Sequence, residues 1–281
     1  MKDVRQEITN QIISQLESVS IGDYQKPWFN IKGLPSNPVT KSRYHGINAL
    51  CLQSDKFDHL EYASYKQWQS IGAQVKQGEH GSMVVFYKPI EIKDKQTEEL
   101  KKIPLLKYST VFNCSQVEGY TPKTTELNTH ESIEQAELFA SNCQIATEYK
   151  HDRACFIPSA NLVQMPKLGQ FNTPGDFYSV LFHEYTHATG HKSRLDRDQK
   201  GRFGGSEYAF EELIAELGSA FTMAHLNLEQ SPRTDHAIYI KSWLQALKSD
   251  NKFIFSAAGK AQAACDYLIA QQTESELKEA A

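Results

Sequence analysis

Two histidines four residues apart, His183 and His187, flank the glutamate at 184 in the run His-Glu-Tyr-Thr-His. A helix takes 3.6 residues per turn, so side chains four apart leave one face and both imidazoles can reach a single cation. Imidazole nitrogen is a good ligand for Zn²⁺, and Glu184 is placed to take a proton from a water as general base. The chemistry implied is metal-assisted hydrolysis, with His183 and His187 as metal ligands and Glu184 as the catalytic residue. The ordinary alternative is a buried helix with two packed histidines and a stray glutamate. Against it stands the cost of burying polar groups that have no partner.

The surrounding residues specify the helix that such a site needs. Thr173 is a good N-cap, Pro174 suits the first helical position, and Asp176 complements the positive helix end. Phe177, Val180, Leu181 and Phe182 make the segment apolar nearly all round, as in a buried element, and Gly190 is placed to end it. A third protein ligand is required. In the HExxHxxGxxH continuation Gly190 fits, but the last position is Ser193, and His191 is out of register, so the metzincin arrangement fails. The other continuation draws a glutamate from a following helix. Over residues 209–221, Glu212 and Glu216 share one helix face while Leu213, Leu217 and Phe221 cover another. Two carboxylates on so apolar a helix want a cation or a histidine, although a solvated acidic face is the plain reading. The run Glu212-x-x-Ala215-Glu216 resembles the E-x-x-A-D helix of glutamate-type zinc peptidases. That resemblance makes Glu212 the ligand and Glu216 the carboxylate that orients a histidine, with the reverse assignment still open.

Length and composition set the frame for these elements. A chain of 281 residues, 40% hydrophobic and 11% aromatic, can bury two cores. Its five cysteines (Cys51, Cys114, Cys143, Cys155 and Cys265) are scattered and form no CxxC, so they read as reduced thiols. The charged N-terminus carries no signal peptide and no apolar run approaches the roughly 18 residues of a membrane span. A soluble, cytoplasmic protein without a membrane partner is expected. The stretch 119–131 is polar, threonine-rich and broken by Pro122, which places a domain boundary near 125. Residues 1–125 hold 16 Lys+Arg against 13 Asp+Glu, net +3, and residues 126–281 hold 14 against 21, net −7, which together give the chain's −4. The modestly basic first half points towards nucleic acid.

In that half, Val4, Ile8, Ile12, Leu16 and Val19 recur at helical spacing. A second helix is expected over 62–71, a hairpin turn at Gly78-Glu79-His80-Gly81, a strand over 82–88, an exposed loop over the charged run 91–102, and a strand over 108–113. Basic residues adjoin aromatics at Lys26/Trp28, Lys41/Arg43/Tyr44, Lys66/Trp68 and Tyr87/Lys88. Single-stranded nucleic acid is held by such pairs, cations tracking phosphates while rings stack on bases. Trp28, Lys41, Arg43, Tyr44, Lys66, Trp68, Lys76 and Tyr87 are the candidate DNA-binding residues. The ordinary alternative is that the rings are core and the lysines solvate a surface.

The stretches 37–50, 65–79 and 84–89 resemble the N-terminal domain of ArdC-type antirestriction proteins, related forms of which front plasmid primases. The second half is similar to the peptidase domain of the same family in His183-Glu184-x-x-His187-x-Thr189-Gly190-His191, Arg194-Leu195-Asp196-Arg197, the helix over 211–221, Tyr239-Ile240-x-x-Trp243-Leu244 and Ala257-Ala258. It departs at Asn161, where an aspartate is expected before the Met165-Pro166 strand. The resemblance implies an α+β protein of two domains. A small mixed α/β domain binding single-stranded DNA, 1–125, precedes a mainly helical zincin-like domain, 126–281, holding Zn²⁺ or Mn²⁺. It further implies carriage by a conjugative element and protection of incoming DNA, with a host restriction enzyme as a candidate protein substrate. Two other readings stand beside it: a DNA-coating protein with a structural metal site, and a plain cytosolic metallopeptidase.

Overall fold

The structure, a computed structural model, describes residues 3–17, 33–53, 57–93, 100–122, 129–150, 152–199, 206–228 and 237–272. The chain begins with helix α1 (Val4–Glu17), followed by α2 (Gly46–Gln53), β1 (Tyr62–Ala63), α3 (Tyr65–Ser70) and β2 (Gln74–Val75). Two long strands, β3 (Ser82–Lys93) and β4 (Leu100–Asn113), then precede β5 (Val117–Glu118). The second half runs through α4 (Thr129–Asn142), β6 (Thr147–Glu148), β7 (Cys155–Ile157), β8 (Leu162–Gln164), α5 (Pro174–Thr189), α6 (Ser206–His225), α7 (Ala237–Ser249) and α8 (Phe253–Ile269). This is a mixed protein of two units, the second mainly helical, as the sequence implies.

The first unit takes in residues 35–123. Its strands form a three-stranded sheet in the order β1-β4-β3 and a two-stranded sheet of β2 with β5. Leu52, Tyr62, Val84 and Val111 make one small core, and Ala63, Trp68, Ala73, Val75, Cys114 and Val117 another. Three local expectations need correction. The helix expected over 62–71 starts later, because Tyr62 and Ala63 pair with Asn113 and Phe112 as strand and Ser64 then caps α3 reciprocally with Gln67. The residues Gly78–Gly81 do not close a hairpin, since β2 pairs with β5 and β3 with β4. The charged run 91–102 is largely strand, its register placing position 91 opposite 102 and 92 opposite 101, up to the pair Lys93–Leu100. Opposite charges at paired positions suit an antiparallel ladder, so charge alone did not mark a loop.

The second unit comprises residues 124–281 together with residues 5–34, and therefore includes α1. A single cut at 125 would separate that helix from its partners. Ile8, Ile12 and Leu16 are buried, Thr9 Oγ1 donates to the carbonyl of Asn251, and Lys248 pairs with Glu17. Strands β6, β8 and β7 form a small sheet in that order, β6 parallel to β8 and β7 antiparallel to it. Phe139, Tyr178, Phe182, Tyr185, Met223 and Leu268 lie in its core. Ala257, Ala258, Ala261 and Ala264 of α8 are fully buried. Small residues let helices approach closely, and Gly218 on α6 does the same for α5, since a Cβ there would stand 2.5 Å from Thr186 Cγ2. None of the five cysteines is in a disulfide, and no helix of the described residues is long and apolar enough to cross a membrane.

Because α1 belongs with the second unit, Ile12→Ala should destabilise that unit by about 2–5 kcal/mol, the usual cost of truncating a buried isoleucine. Denaturant unfolding of the full chain, followed through bound metal, should show the shift. An unchanged midpoint would mean that α1 is dispensable to the second unit.

Candidate metal centre

Helix α5 starts where its sequence dictates. Thr173 accepts from the Asp176 amide, Asp176 Oδ2 accepts in return from the Thr173 amide at 3.0 Å, and Pro174 fills the first turn. From this start His183 and His187 point to the side that α6 covers. His183 Nε2 and His187 Nε2 lie 3.1 Å apart. The Glu212 carboxylate meets both, with Oε2 3.5 Å from His183 Nε2 and Oε1 3.6 Å from His187 Nε2. One ligand atom from each of these three residues falls within 4.8 Å of the others. Glu216 is one turn further along and faces the opposite ring nitrogen, 3.4 Å from His183 Nδ1. The geometry therefore separates the two glutamates that the sequence left interchangeable.

His187 has an equivalent support that sequence reasoning missed. Glu211 Oε1 lies 3.2 Å from His187 Nδ1. That carboxylate is in turn held by Arg197, from Nη2 at 2.8 Å and Nε at 3.3 Å, and by Gln199 Nε2 at 2.9 Å. Arg197 also donates to the Thr186 carbonyl and to Thr189 Oγ1, which ties the turn after α5 to the helix end. Gly190 serves this packing and is not a left-handed cap. Its φ is −74°, and a Cβ would come within 2.5 Å of Gln199 Nε2 and 2.9 Å of Arg197 Nη2. The sequence signal was the arginine itself, a cation in a segment that folds against a buried acidic helix. His191 stays outside the cluster and pairs with Ser193.

Glu184 points towards the sheet. Its Oε2 accepts from the Phe156 amide on edge strand β7 at 2.8 Å, which fixes a buried carboxylate beside the cluster. Asn161, the position that departs from the family pattern, sits in the turn between β7 and β8 with φ of 50°. Asparagine tolerates that left-handed backbone, and its Oδ1 accepts from Arg194 Nη1 at 2.6 Å. It therefore anchors the turn to the segment that carries Arg197.

The donor set fits a divalent cation. A carboxylate only accepts, so each Nδ1 facing Glu216 or Glu211 carries a ring proton and Nε2 is the nitrogen left to meet a metal. Two imidazole nitrogens and a carboxylate then converge on one point, which either a proton or a cation must occupy to hold them together. The 3.1 Å between nitrogens is close to the ~3.3 Å expected for two imidazoles on one tetrahedral zinc. Electrostatics point the same way. Burial pushes His187 down, but hydrogen bonds with Glu211 and Glu212 outweigh it and carry it up to about 10. Burial alone would raise Glu211, yet His187 and Arg197 hold it at about 2. Glu212, likewise buried, is held well below the carboxylate range by His183 and His187. A proton and a metal ion thus compete for the same nitrogen, and metal capture displaces the proton.

The candidate DNA-binding residues are not brought together in this way. Trp68 is 0% exposed and its Nε1 donates to the Phe112 carbonyl, so it is core and cannot stack on a base. Tyr44 is half-buried, donates to the Tyr62 carbonyl and accepts from Asn37 Nδ2. Lys41, Arg43, Lys66, Lys76 and Tyr87 are exposed, with Lys41 Nζ folded back on the Pro38 carbonyl and Lys76 Nζ on that of Ser115. Trp28 lies outside the described residues. The lysine–aromatic adjacency in sequence mostly reflects alternation between core and surface.

Comparison with known proteins covers both units. Residues 2–112 match the family described as the N-terminal domain of anti-restriction factor ArdC, and residues 134–260 match one described as zincin-like metallopeptidase. An uncharacterized protein of Sinorhizobium fredii, y4eC, is 40% identical over 99% of this chain and 95% of its own length. Two DNA primases named TraC, from Escherichia coli, are each 34% identical over 96% of this chain. The matched region makes up only 27% of one primase and 20% of the other. The crystal structure of antirestriction protein ArdC from plasmid R388 in metal-free form aligns with TM-score 0.82 and 37% identity, covering 96% of this chain and 98% of that one. Its Mn(II)-bound form aligns with TM-score 0.79 over the same shares.

Removing Glu212 should abolish metal binding. Glu216→Ala and Arg197→Ala should weaken it about 10–100-fold, because each leaves a histidine less well oriented. Competition with a chromophoric chelator would measure both effects. Full occupancy in Glu212→Ala with complete loss in Glu216→Ala would reverse their roles.

Proposed function

The chain belongs to the ArdC family of antirestriction proteins, and we propose that it protects incoming DNA of a mobile element by pairing a single-stranded-DNA-binding unit with a glutamate-type metallopeptidase site. The observation that carries the site is the convergence of His183 Nε2, His187 Nε2 and the Glu212 carboxylate beside Glu184. His183, His187 and Glu212 would hold the metal, Zn²⁺ by the preference of two imidazoles and a carboxylate, with Mn²⁺ the alternative that the related R388 protein takes. Bound there, the cation supplies Lewis-acid polarisation of a peptide carbonyl.

The remaining chemistry belongs to the chain's own residues. Glu184 takes the proton of the attacking water and returns it to the departing amine. Its carboxylate can do so in a fixed direction because the Phe156 amide holds one oxygen, leaving the other to face the reactants. Glu216 and Glu211 keep the two rings in the tautomer that presents Nε2, and Arg197 neutralises the second of these carboxylates. The surrounding helices exclude bulk water and so strengthen each of these interactions. The cytoplasm, where restriction enzymes meet entering DNA, is the compartment in which this activity would operate, and five cysteines outside any disulfide accord with it.

A second reading is favoured by the TraC relatives, in which a region like this chain forms part of a DNA primase. In that reading the protein protects DNA by coating it and the metal only stabilises the second unit. Glu184→Gln separates the two. It should retain metal, fold and DNA binding while abolishing any peptide hydrolysis, since Glu184 is not among the three converging ligands. Antirestriction compared at equal protein levels in a conjugation assay then decides. Its loss in Glu184→Gln supports proteolysis, and its full retention supports coating.

A further inference from the structure

Four of the six exposed large apolar side chains among the first unit's described residues lie on one element. Phe86 is 47% exposed, Tyr87 52%, Leu105 41% and Tyr108 52%, all on the antiparallel ribbon of β3 and β4. At its base the ribbon is gripped, by β1 as far as Phe112 and by Asn48, whose side chain bonds both the amide and the carbonyl of Val85 at 2.7 Å. From Phe86 outward the two strands continue in register to Lys93 and Leu100. Leaving several large apolar groups in water over such a length is unfavourable unless a partner covers them.

The register sorts these residues. Phe86 is the direct cross-strand partner of Lys107, and the next pair on the same side is position 88 with Leu105. Side chains alternate along a strand, so Phe86, Leu105 and Lys107 share one side of the pleat, as do Val84 and Val111 in the core at its base. The other side has Tyr87 and Tyr108. Across the two strands the sequence holds five lysines against one glutamate, which disfavours an uncharged protein partner and favours a polyanion. An aromatic ring next to a lysine on a regular ladder suits unpaired bases spaced along a phosphate chain.

We propose that the Phe86–Lys107 side of this ribbon is the surface on which single-stranded DNA lies, a base stacking on Phe86 while Lys107 meets the phosphates. The inference rests on the single-stranded-DNA reading above and adds to it a location and contact residues. Tyr87, the candidate DNA-binding residue of the sequence that lies on β3, is on the other side.

The test uses the full chain and a fluorescein-labelled oligo-dT of about thirty nucleotides, long enough for one or more single-strand sites, with anisotropy measured over a salt series. Phe86→Ala combined with Lys107→Ala should weaken binding at least about tenfold, and should make it less salt-dependent by about 0.7 in the log–log slope for each phosphate no longer neutralised. Phe86→Tyr should bind as wild type because the ring remains. Tyr87→Ala with Tyr108→Ala, on the far side, should weaken binding less than the first pair. Thermal melting shows that each variant is folded, as expected for exposed positions. If wild type binds and the Phe86/Lys107 pair leaves binding unchanged, the surface is misplaced while the DNA reading stands. If wild type does not bind, the DNA reading fails and this surface fails with it. A change in oligomeric state without a change in DNA affinity would make the ribbon a protein interface and overturn the proposal.

Discussion

Two imidazole nitrogens 3.1 Å apart, converging with the Glu212 carboxylate on one point, are the constraint on which the second unit is built. Neutral rings would not hold this approach unaided, so each must be fixed from behind. Glu216 does this for His183 and Glu211 for His187. Both carboxylates come from α6, which must run close enough to α5 to reach them. Gly218 against Thr186 permits that approach, and Thr186 keeps its hydroxyl satisfied by donating to the Phe182 carbonyl. The metal centre and the helix–helix packing are thus one structural problem with one solution.

Arg197 closes the arrangement. Placed after the metal helix and almost fully buried, it compensates a carboxylate that would otherwise sit as a charge in the core. Removing one member of such a buried pair costs about 3–5 kcal/mol, more than the intact pair contributes, because the remaining charge is left without its partner. The same segment places Arg194 on Asn161, and so connects the end of α5 to the turn before β8. Through β7 that sheet also holds Glu184. The candidate ligands, Glu184 and their supports are thus drawn together from two helices, one turn and one strand edge.

The first unit divides its aromatic residues by a different rule. Trp68 and Tyr62 fill cores and satisfy their polar atoms internally, on the Phe112 and Leu52 carbonyls. Tyr65, Phe86, Tyr87 and Tyr108 are left in solvent. Adjacency of lysine and aromatic in the sequence does not separate these classes, because neighbours on a strand or helix point to different sides. Only the sheet register and the seat of α3 decide which rings a ligand could touch.

Much of the second unit was legible in the sequence because its signals are local. Thr173, Pro174 and Asp176 start α5, and the four-residue spacing of His183 and His187 fixes both on one face whatever the helix packs against. The order of motifs placed the chain in its family, and the failed position at Ser193 already sent the search for a third ligand to a later helix. Which ring nitrogen Glu212 and Glu216 each face depends on the crossing of α5 and α6, since helical spacing puts both on one face. Glu211 was invisible for the same reason. Its partners His187, Arg197 and Gln199 are 12–24 residues away and meet it only when the turn folds back. The membership of α1 in the second unit, and the continuation of β3 and β4 through a charged run, were likewise settled by long-range contacts. Local spacing fixes what a residue can do, and tertiary packing fixes which atoms it does it to.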